Sequence, residues 1–188
     1  LAENTVVIFA SDNGGLAKVT NNRPYRLGKG FLYEGGIRVP LIIRWPGHVE
    51  PGTVSATPTI SEDIFSTILD IAAVKFPTGK VIDGRSLVPD FSFEGPAPDS
   101  VPLHWYYPHY SPQAKRPAAA IRYGSYKLIE FYDPPAVEMY DLKADIGETN
   151  NISESFPDLR DKLLDRLHTW LDQTEPIYHT PNPAFSAE

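Results

Sequence analysis

Five consecutive apolar residues, Val6 to Ala10, run directly into Ser11-Asp12-Asn13-Gly14-Gly15. An apolar run this short, bounded by turn residues, reads as a buried strand that ends in a tight polar turn. In an open parallel sheet of the α/β kind, the ligand crevice lies beyond the carboxyl ends of the strands. Asp12 and Asn13 are thereby expected on the rim of a site. One carboxylate and one amide oxygen on adjacent residues suit a hard cation such as Ca²⁺ or Mg²⁺, not a soft metal. The same Asp-Asn-Gly is also ordinary turn chemistry, because Asn and Gly accept positive φ and Asp bonds its own backbone.

The next segment adds a charge argument. Between Ser11 and Arg44 lie six basic residues (Lys18, Arg23, Arg26, Lys29, Arg38 and Arg44) against Asp12 and Glu34, a local net of +4 in a chain of net −7, which leaves −11 for the remainder. A basic loop following an acidic turn, on an otherwise acidic protein, points to a pocket for a small anion and away from nucleic acid. Gly28, Gly30, Gly35 and Gly36 surround Lys29 and Glu34, so the backbone there can bend sharply and approach a ligand. Lys29 is the leading candidate for the anion contact.

The SDNGG turn and the following GKGFLYEGGIRVPLIIRWPG resemble a signature block of the type I, formylglycine-dependent sulfatases, which include the arylsulfatases. Further along, DIFSTILDIA, IDGRSLVP, HWYYPHY, AIRYGSYKLIE and MYDLKADIGETNNI resemble that family in order and spacing, so the likeness covers nearly the whole chain. It implies that Asp12 and Asn13 supply two ligands to Ca²⁺ and that Lys29 contacts the sulfate, which makes Lys29 both the catalytic and a substrate-binding candidate. It also implies an alkaline-phosphatase-like fold, a sulfate-ester substrate such as a sulfated carbohydrate, and a periplasmic or secreted location. The family's nucleophile comes from a Cys-x-Pro-x-Arg or Ser-x-Pro-x-Arg motif upstream of this block, and this chain carries neither. The chain is therefore expected to be the C-terminal part of a sulfatase. Two other readings stand beside this one. A phosphodiesterase or phosphonate hydrolase of the same superfamily would share the sheet but needs more Asp and His for two transition metals. A noncatalytic carbohydrate-binding module would use Trp105 to Tyr110 as an aromatic platform.

The expected fold class is α/β: the end of an alkaline-phosphatase-like sheet with a helix over residues 1–90, then a small α+β domain over 91–188 made of an antiparallel meander and one C-terminal helix. A hydrophobic content of 41% excludes wholesale disorder. No run approaches the ~18 apolar residues of a membrane-spanning helix. Val39 to Trp45 reads as a second strand beside the first. Ile60 to Ala72 has a helical apolar stripe with Thr59 and Glu62 placed as a capping box, and Asp63 and Asp70 fall on its solvated side. Residues 76–117 lack a sustained period. Within them, His104 and His109 are too far apart in an irregular loop to make a good metal pair, whereas His109 is a candidate substrate contact. Ala118 to Arg122, Tyr126 to Tyr132 and Val137 to Tyr140 form the meander. Ser155 is expected to cap a helix whose apolar face is Phe156, Leu159, Leu163, Leu164, Leu167, Trp170 and Leu171. His168 is read as a surface residue and the tail from Thr174 as irregular. Strands cut from a parallel sheet would expose edges through which the piece could form oligomers.

Two ligands cannot satisfy an ion that takes about 6–8 oxygens, and neither Ser11 nor Ser111 has a sequence-evident base beside it. The chain by itself is expected to bind Ca²⁺ weakly and to turn over no aryl sulfate. Micromolar affinity by calorimetry, or turnover above background, would contradict this.

Overall fold

The structure, a computed structural model, describes residues 1–92, 101–114 and 116–174. In chain order the regular elements are β1 (Val7–Ala10), α1 (Glu34–Ile37), β2 (Leu41–Arg44), α2 (Glu62–Ile71), β3 (Leu103–Tyr107), β4 (Ala118–Tyr123), β5 (Tyr126–Tyr132), β6 (Pro135–Asp141) and α3 (Pro157–Thr174), with 3₁₀ turns at Ala2–Asn4 and Val88–Ser92. They gather into two compact units, each discontinuous in sequence: residues 1–12 with 40–99, and residues 13–39 with 100–188.

In the first unit β1 and β2 pair antiparallel, Val7 opposite Arg44 and Ala10 opposite Leu41. This corrects the expectation of a parallel sheet end. Val7, Phe9 and Ile42 stand largely exposed on the ribbon. Arg44 donates from Nη1 to the Ala2 carbonyl at 2.8 Å, which agrees with a structural role for it. The helix α2 also departs from expectation. Its stripe residues Phe65 and Ile68 are exposed, while Asp63, Ser66 and Thr67 are buried. The reason is a loop laid against the polar side. The Asp63 carboxylate accepts the backbone N–H groups of Ile60 at 3.0 Å and Arg85 at 2.8 Å. The Ser66 hydroxyl donates to the Gly84 carbonyl, and the Thr67 hydroxyl accepts the Leu87 N–H. A Cβ at Gly84 would come within 2.1 Å of the Glu62 carbonyl oxygen, so this approach needs glycine. Asp63 thus takes over the work assigned to the Thr59 and Glu62 box, and Ser61 stands at the N-cap without a side-chain cap bond.

The second unit is built on a four-stranded antiparallel meander in the order β3-β4-β5-β6. Its alternation sorts the side chains onto two faces, as the two-residue period of a strand requires. Ala118, Ala120, Ile129, Phe131 and Tyr140 point to one face, where Tyr33 packs with Phe31 and Leu32 beside it. Ala119, Ile121, Leu128 and Met139 point to the other, where α3 lays down Leu163, Leu167 and Leu171. A two-residue turn with Gly124 at φ +61° joins β4 to β5, a left-handed backbone that glycine adopts without penalty. The strand β3 is a second correction. Leu103 to Tyr107, expected in an irregular loop, pairs along its whole length with β4. Trp105 packs on the first face and Tyr106 on the second, so strand alternation divides the aromatic stretch between the two faces.

The helix α3 begins at Pro157, where a missing N–H costs nothing. The carbonyl of Phe156, not Ser155, accepts the first helical bond from Arg160, and Phe156 is exposed instead of joining the apolar face. The tail beyond Thr174 lies outside the described residues. Among the described residues no helix is long and apolar enough to cross a membrane.

Leu167 is fully buried at the centre of the α3 contact. Leu167→Ala is expected to lower stability by about 2–5 kcal/mol, read as a fall in the urea midpoint, whereas Phe156→Ala should leave it nearly unchanged.

Candidate functional site

The candidate residues divide among the elements as follows. Asp12 is exposed and ends the first run of the first unit; Asn13 follows it in the chain and is half-buried in the second. Gly14 donates its N–H to the Gly36 carbonyl at 2.9 Å, and Lys29 donates its N–H to the Gly15 carbonyl at 3.1 Å, so the turn that holds Asn13 and the turn that holds Lys29 are stitched together. Asn22 reinforces the join from Nδ2, donating to the carbonyls of Gly15 and Leu27 at 2.7 Å each. The packing is too close for any side chain. A Cβ at Gly14 would lie 1.7 Å from the Gly35 oxygen, and one at Gly28 would lie 2.1 Å from the Gly15 oxygen. The glycines that the sequence offered as freedom to approach a ligand serve in this structure to let backbone approach backbone.

The side chain of Lys29 is exposed, and among the described residues it has no ion-pair partner. His109 is exposed in the loop after β3, its ring edge-on to Tyr107 at 5.2 Å. The next turn of that loop approaches Lys29's neighbour: a Cβ at Gly30 would meet Gln113 Cβ at 2.8 Å. Beside them lies a cavity of about 140 Å³ lined by Arg26, Gly30, Phe31, Tyr107, Arg116 and Phe131. Both arginines have donors committed elsewhere. Arg26 Nη1 reaches the Tyr140 hydroxyl and the Glu148 carbonyl, while Arg116 bonds the carbonyls of Asp133 and Pro134.

Behind this surface is a buried charge cluster that sequence reasoning missed. Lys127 Nζ donates to Glu34 Oε1 at 3.0 Å and lies 2.8 Å from Glu148 Oε1. Glu148 Oε2 accepts the backbone N–H of Glu34 at 2.7 Å, and Arg38 reaches Glu34 Oε2 at 3.3 Å from the rim. Burial pushes the Glu148 carboxyl above its ordinary range, and the Lys127 ammonium opposes that. A second cluster adjoins it. The hydroxyls of Tyr33 and Tyr140 both donate to Glu138 Oε2 at 2.6 Å, and burial together with the carboxylate raises both phenols well above their usual range. Strand parity was the available signal: Lys127 shares its side of β5 with Ile129 and Phe131, so the pattern that buries them buries it.

No group of three or more acidic or histidine side chains that could hold a metal occurs among the described residues. Asp12 and Asn13 carry two side-chain oxygen donors, fewer than the roughly 6–8 oxygens that Ca²⁺ takes. His104 and His109 do not form a pair. His104 lies on β3 with its ring stacked on Trp170 of α3 at 4.7 Å, and burial lowers it from 6.5 to about 4. His168, as expected, is at the surface, 2.9 Å from Glu130.

Solved structures show what this arrangement belongs to. Ps i-CgsB, in complex with k-i-k-neocarrahexaose, matches 96% of this chain and 40% of its own with a TM-score of 0.79 at 28% identity. BT4656, in complex with its substrate D-glucosamine-2-N,6-O-disulfate, matches 92% and 35% with a TM-score of 0.75 at 30% identity. A sulfatase from Formosa agariphila is 40% identical over 185 residues, 91% of this chain and 34% of the relative. The architecture is that of the sulfatase-type hydrolases. Residues 26–175 match the model described as N-sulphoglucosamine sulphohydrolase, C-terminal, so the chain belongs to that family, a C-terminal part of a sulfatase of the alkaline-phosphatase-like superfamily. It spans about a third of the length of the Formosa relative.

Because His104 is neutral when folded and binds a proton more readily when unfolded, its contribution to stability is intact above about 6.5 and is lost as the pH falls toward about 4. Replacement by Phe, which keeps the stack on Trp170, is expected to shrink the drop in melting temperature across that window. An unchanged drop would show that His104 does not titrate with unfolding.

Proposed function

We propose that the intact protein hydrolyses a sulfate ester of a sulfated carbohydrate, with Lys29 contacting the sulfate group. The observation that carries this reading is the setting of Lys29: an exposed ammonium without an ion partner among the described residues, on a turn locked to the Asn13 turn, in a chain of the sulfatase family. A cation held in place before reaction stabilises the negative charge that grows on the sulfate oxygens and needs no reorganisation to do so. Asp12 and Asn13 would contribute two oxygen ligands to Ca²⁺, which when bound supplies further fixed positive charge. His109, exposed on the loop whose far side adjoins Gly30, is the candidate contact for the sugar. The two solved neighbours captured with saccharides support a carbohydrate substrate, and the disulfated glucosamine bound to one of them supports a sulfated one. In the intact protein, residues 1–90 would belong by sequence to the catalytic domain and 91–188 to a small C-terminal domain, with the stretch 13–39 of the former packed into the unit that holds 100–188, in an exported enzyme.

The experiment compares two cations of the same stretch. In the intact enzyme Lys29→Ala is expected to cut turnover by about 10²- to 10³-fold, and Arg44→Ala, which removes the bond to the Ala2 carbonyl, to leave it within a few-fold. Equal and mild effects would mean that the sulfate is held elsewhere. Full activity with Mn²⁺ or Zn²⁺ and none with Ca²⁺ would favour a phosphonate or phosphodiester hydrolase.

A further inference from the structure

Three charged side chains sit in the interior of the second unit, and stability alone does not account for them. Glu34 is 3% exposed, while Lys127 and Glu148 are not exposed at all. Buried ion pairs pay a desolvation cost that well-packed apolar residues avoid, so such a cluster is weak evidence for stability and a candidate for specifying one geometry. Its three members come from separate stretches: the first residue of α1, the second residue of β5, and the loop after β6. We infer that Lys127, gripped by Glu34 and Glu148, is a positioning residue that sets the place of the Lys29 turn. This rests on the reading of Lys29 as the sulfate contact.

The path from the cluster to Lys29 is short and has no slack. Glu148 bonds the backbone N–H of Glu34, so it holds the start of α1 by main chain as well as by charge. From there Gly35 donates to the Arg26 carbonyl, Gly36 donates to Tyr33, and the Gly36 carbonyl receives the N–H of Gly14. Phe31 donates to Gly28, whose neighbour Lys29 donates to Gly15. A Cβ at Gly36 would lie 2.0 Å from the Phe31 oxygen and 2.6 Å from the Gly28 oxygen, so α1 cannot shift without carrying the turn at 28–31 with it.

The far end is fixed just as firmly. Glu148 adopts φ 51°, a left-handed backbone that residues other than glycine rarely take. Such a conformation persists where the surroundings determine it. Asp145 does so by accepting the N–H groups of Thr149 and Asn150 at 2.8 Å each, and Arg26 does so by bonding the Glu148 carbonyl at 2.7 Å.

Lys127→Met strands two carboxylates in the core and is expected to reduce the yield of folded protein, so the decisive variant is Glu148→Gln. It keeps an oxygen for the Glu34 N–H and removes the charge that centres Lys127. The test is a double-mutant cycle in the intact enzyme: Glu148→Gln, Lys29→Ala and the double variant, each measured for KM and kcat on an aryl sulfate and for Ki of inorganic sulfate. Glu148→Gln is expected to melt cooperatively and to raise the sulfate Ki roughly tenfold, the scale of weakening one hydrogen bond to the anion. In the Lys29→Ala background the same change should add almost nothing, because residues that act through one another are not additive. A lowered melting temperature with Ki unchanged, or equal effects in both backgrounds, overturns the positioning role and leaves Lys29 as the sulfate contact. If Lys29→Ala alone leaves Ki and turnover unchanged, the reading of Lys29 fails and the inference fails with it.

Discussion

A sheet whose two faces are both apolar must find two covers, and the second unit depends on how it finds them. The meander obtains one from α3, in the ordinary manner of a helix laid across a sheet. The other comes from a segment with almost no regular structure, residues 26–37, which brings Phe31, Leu32 and Tyr33 to the opposite face. A segment of turns has many backbone polar groups and little apolar surface with which to hold its place. Its own glycine-packed hydrogen bonds make it rigid, and polar anchors at Arg26, Tyr33 and Glu34 attach it to the sheet.

Those anchors explain why the motifs that resemble the sulfatases extend so far from the candidate chemistry. Glu34 comes from the YEGG stretch, Lys127 from AIRYGSYKLIE and Glu148 from MYDLKADIGETNNI, and in the structure the three meet around one ammonium. Removing one partner of such a group leaves an unpaired buried charge, at a cost of about 3–5 kcal/mol. The later motifs are therefore read most simply as the support of the first and not as separate sites.

Much of this architecture was legible. The meander could be read because β-rich runs alternate with short turns at Gly124-Ser125 and Asp133-Pro134, and α3 because its leucines repeat with helical period. The strand β3 was hidden by its flanking prolines, Pro102 and Pro108, and by aromatic residues that serve loops and strands equally well. The orientation of α2 was misread because Ser66, Thr67 and Asp63 count as solvent-facing on any scale of polarity, whereas their hydroxyls and carboxylate are used by the loop at 84–87. The antiparallel pairing of β1 with β2 had no local signal, since an apolar run does not state the direction of its neighbour. Of the candidate site, charge and glycine spacing singled out Lys29 and the Asn13 turn as candidates, and the structure joins their two turns by backbone bonds. The Lys127 cluster could not be found from propensity, which places lysine in water, and it emerges only once strand parity is combined with a cover for that face.

The discontinuity of the two units bears on how the chain can be taken apart. The polypeptide passes from one unit to the other after Asp12, again after Val39 and a third time after Asp99. A single cut at any of these points leaves at least one fragment with portions of both units, and a cut after Val39 leaves both fragments so. No truncation at one position can isolate the sheet together with both of its covers. The turn that bears Lys29 is thus an insertion by sequence but one wall of a core by structure, and a shortened version of this protein that discards residues before Pro40 would expose Ile129 and Phe131 to water and leave Lys127 without Glu34.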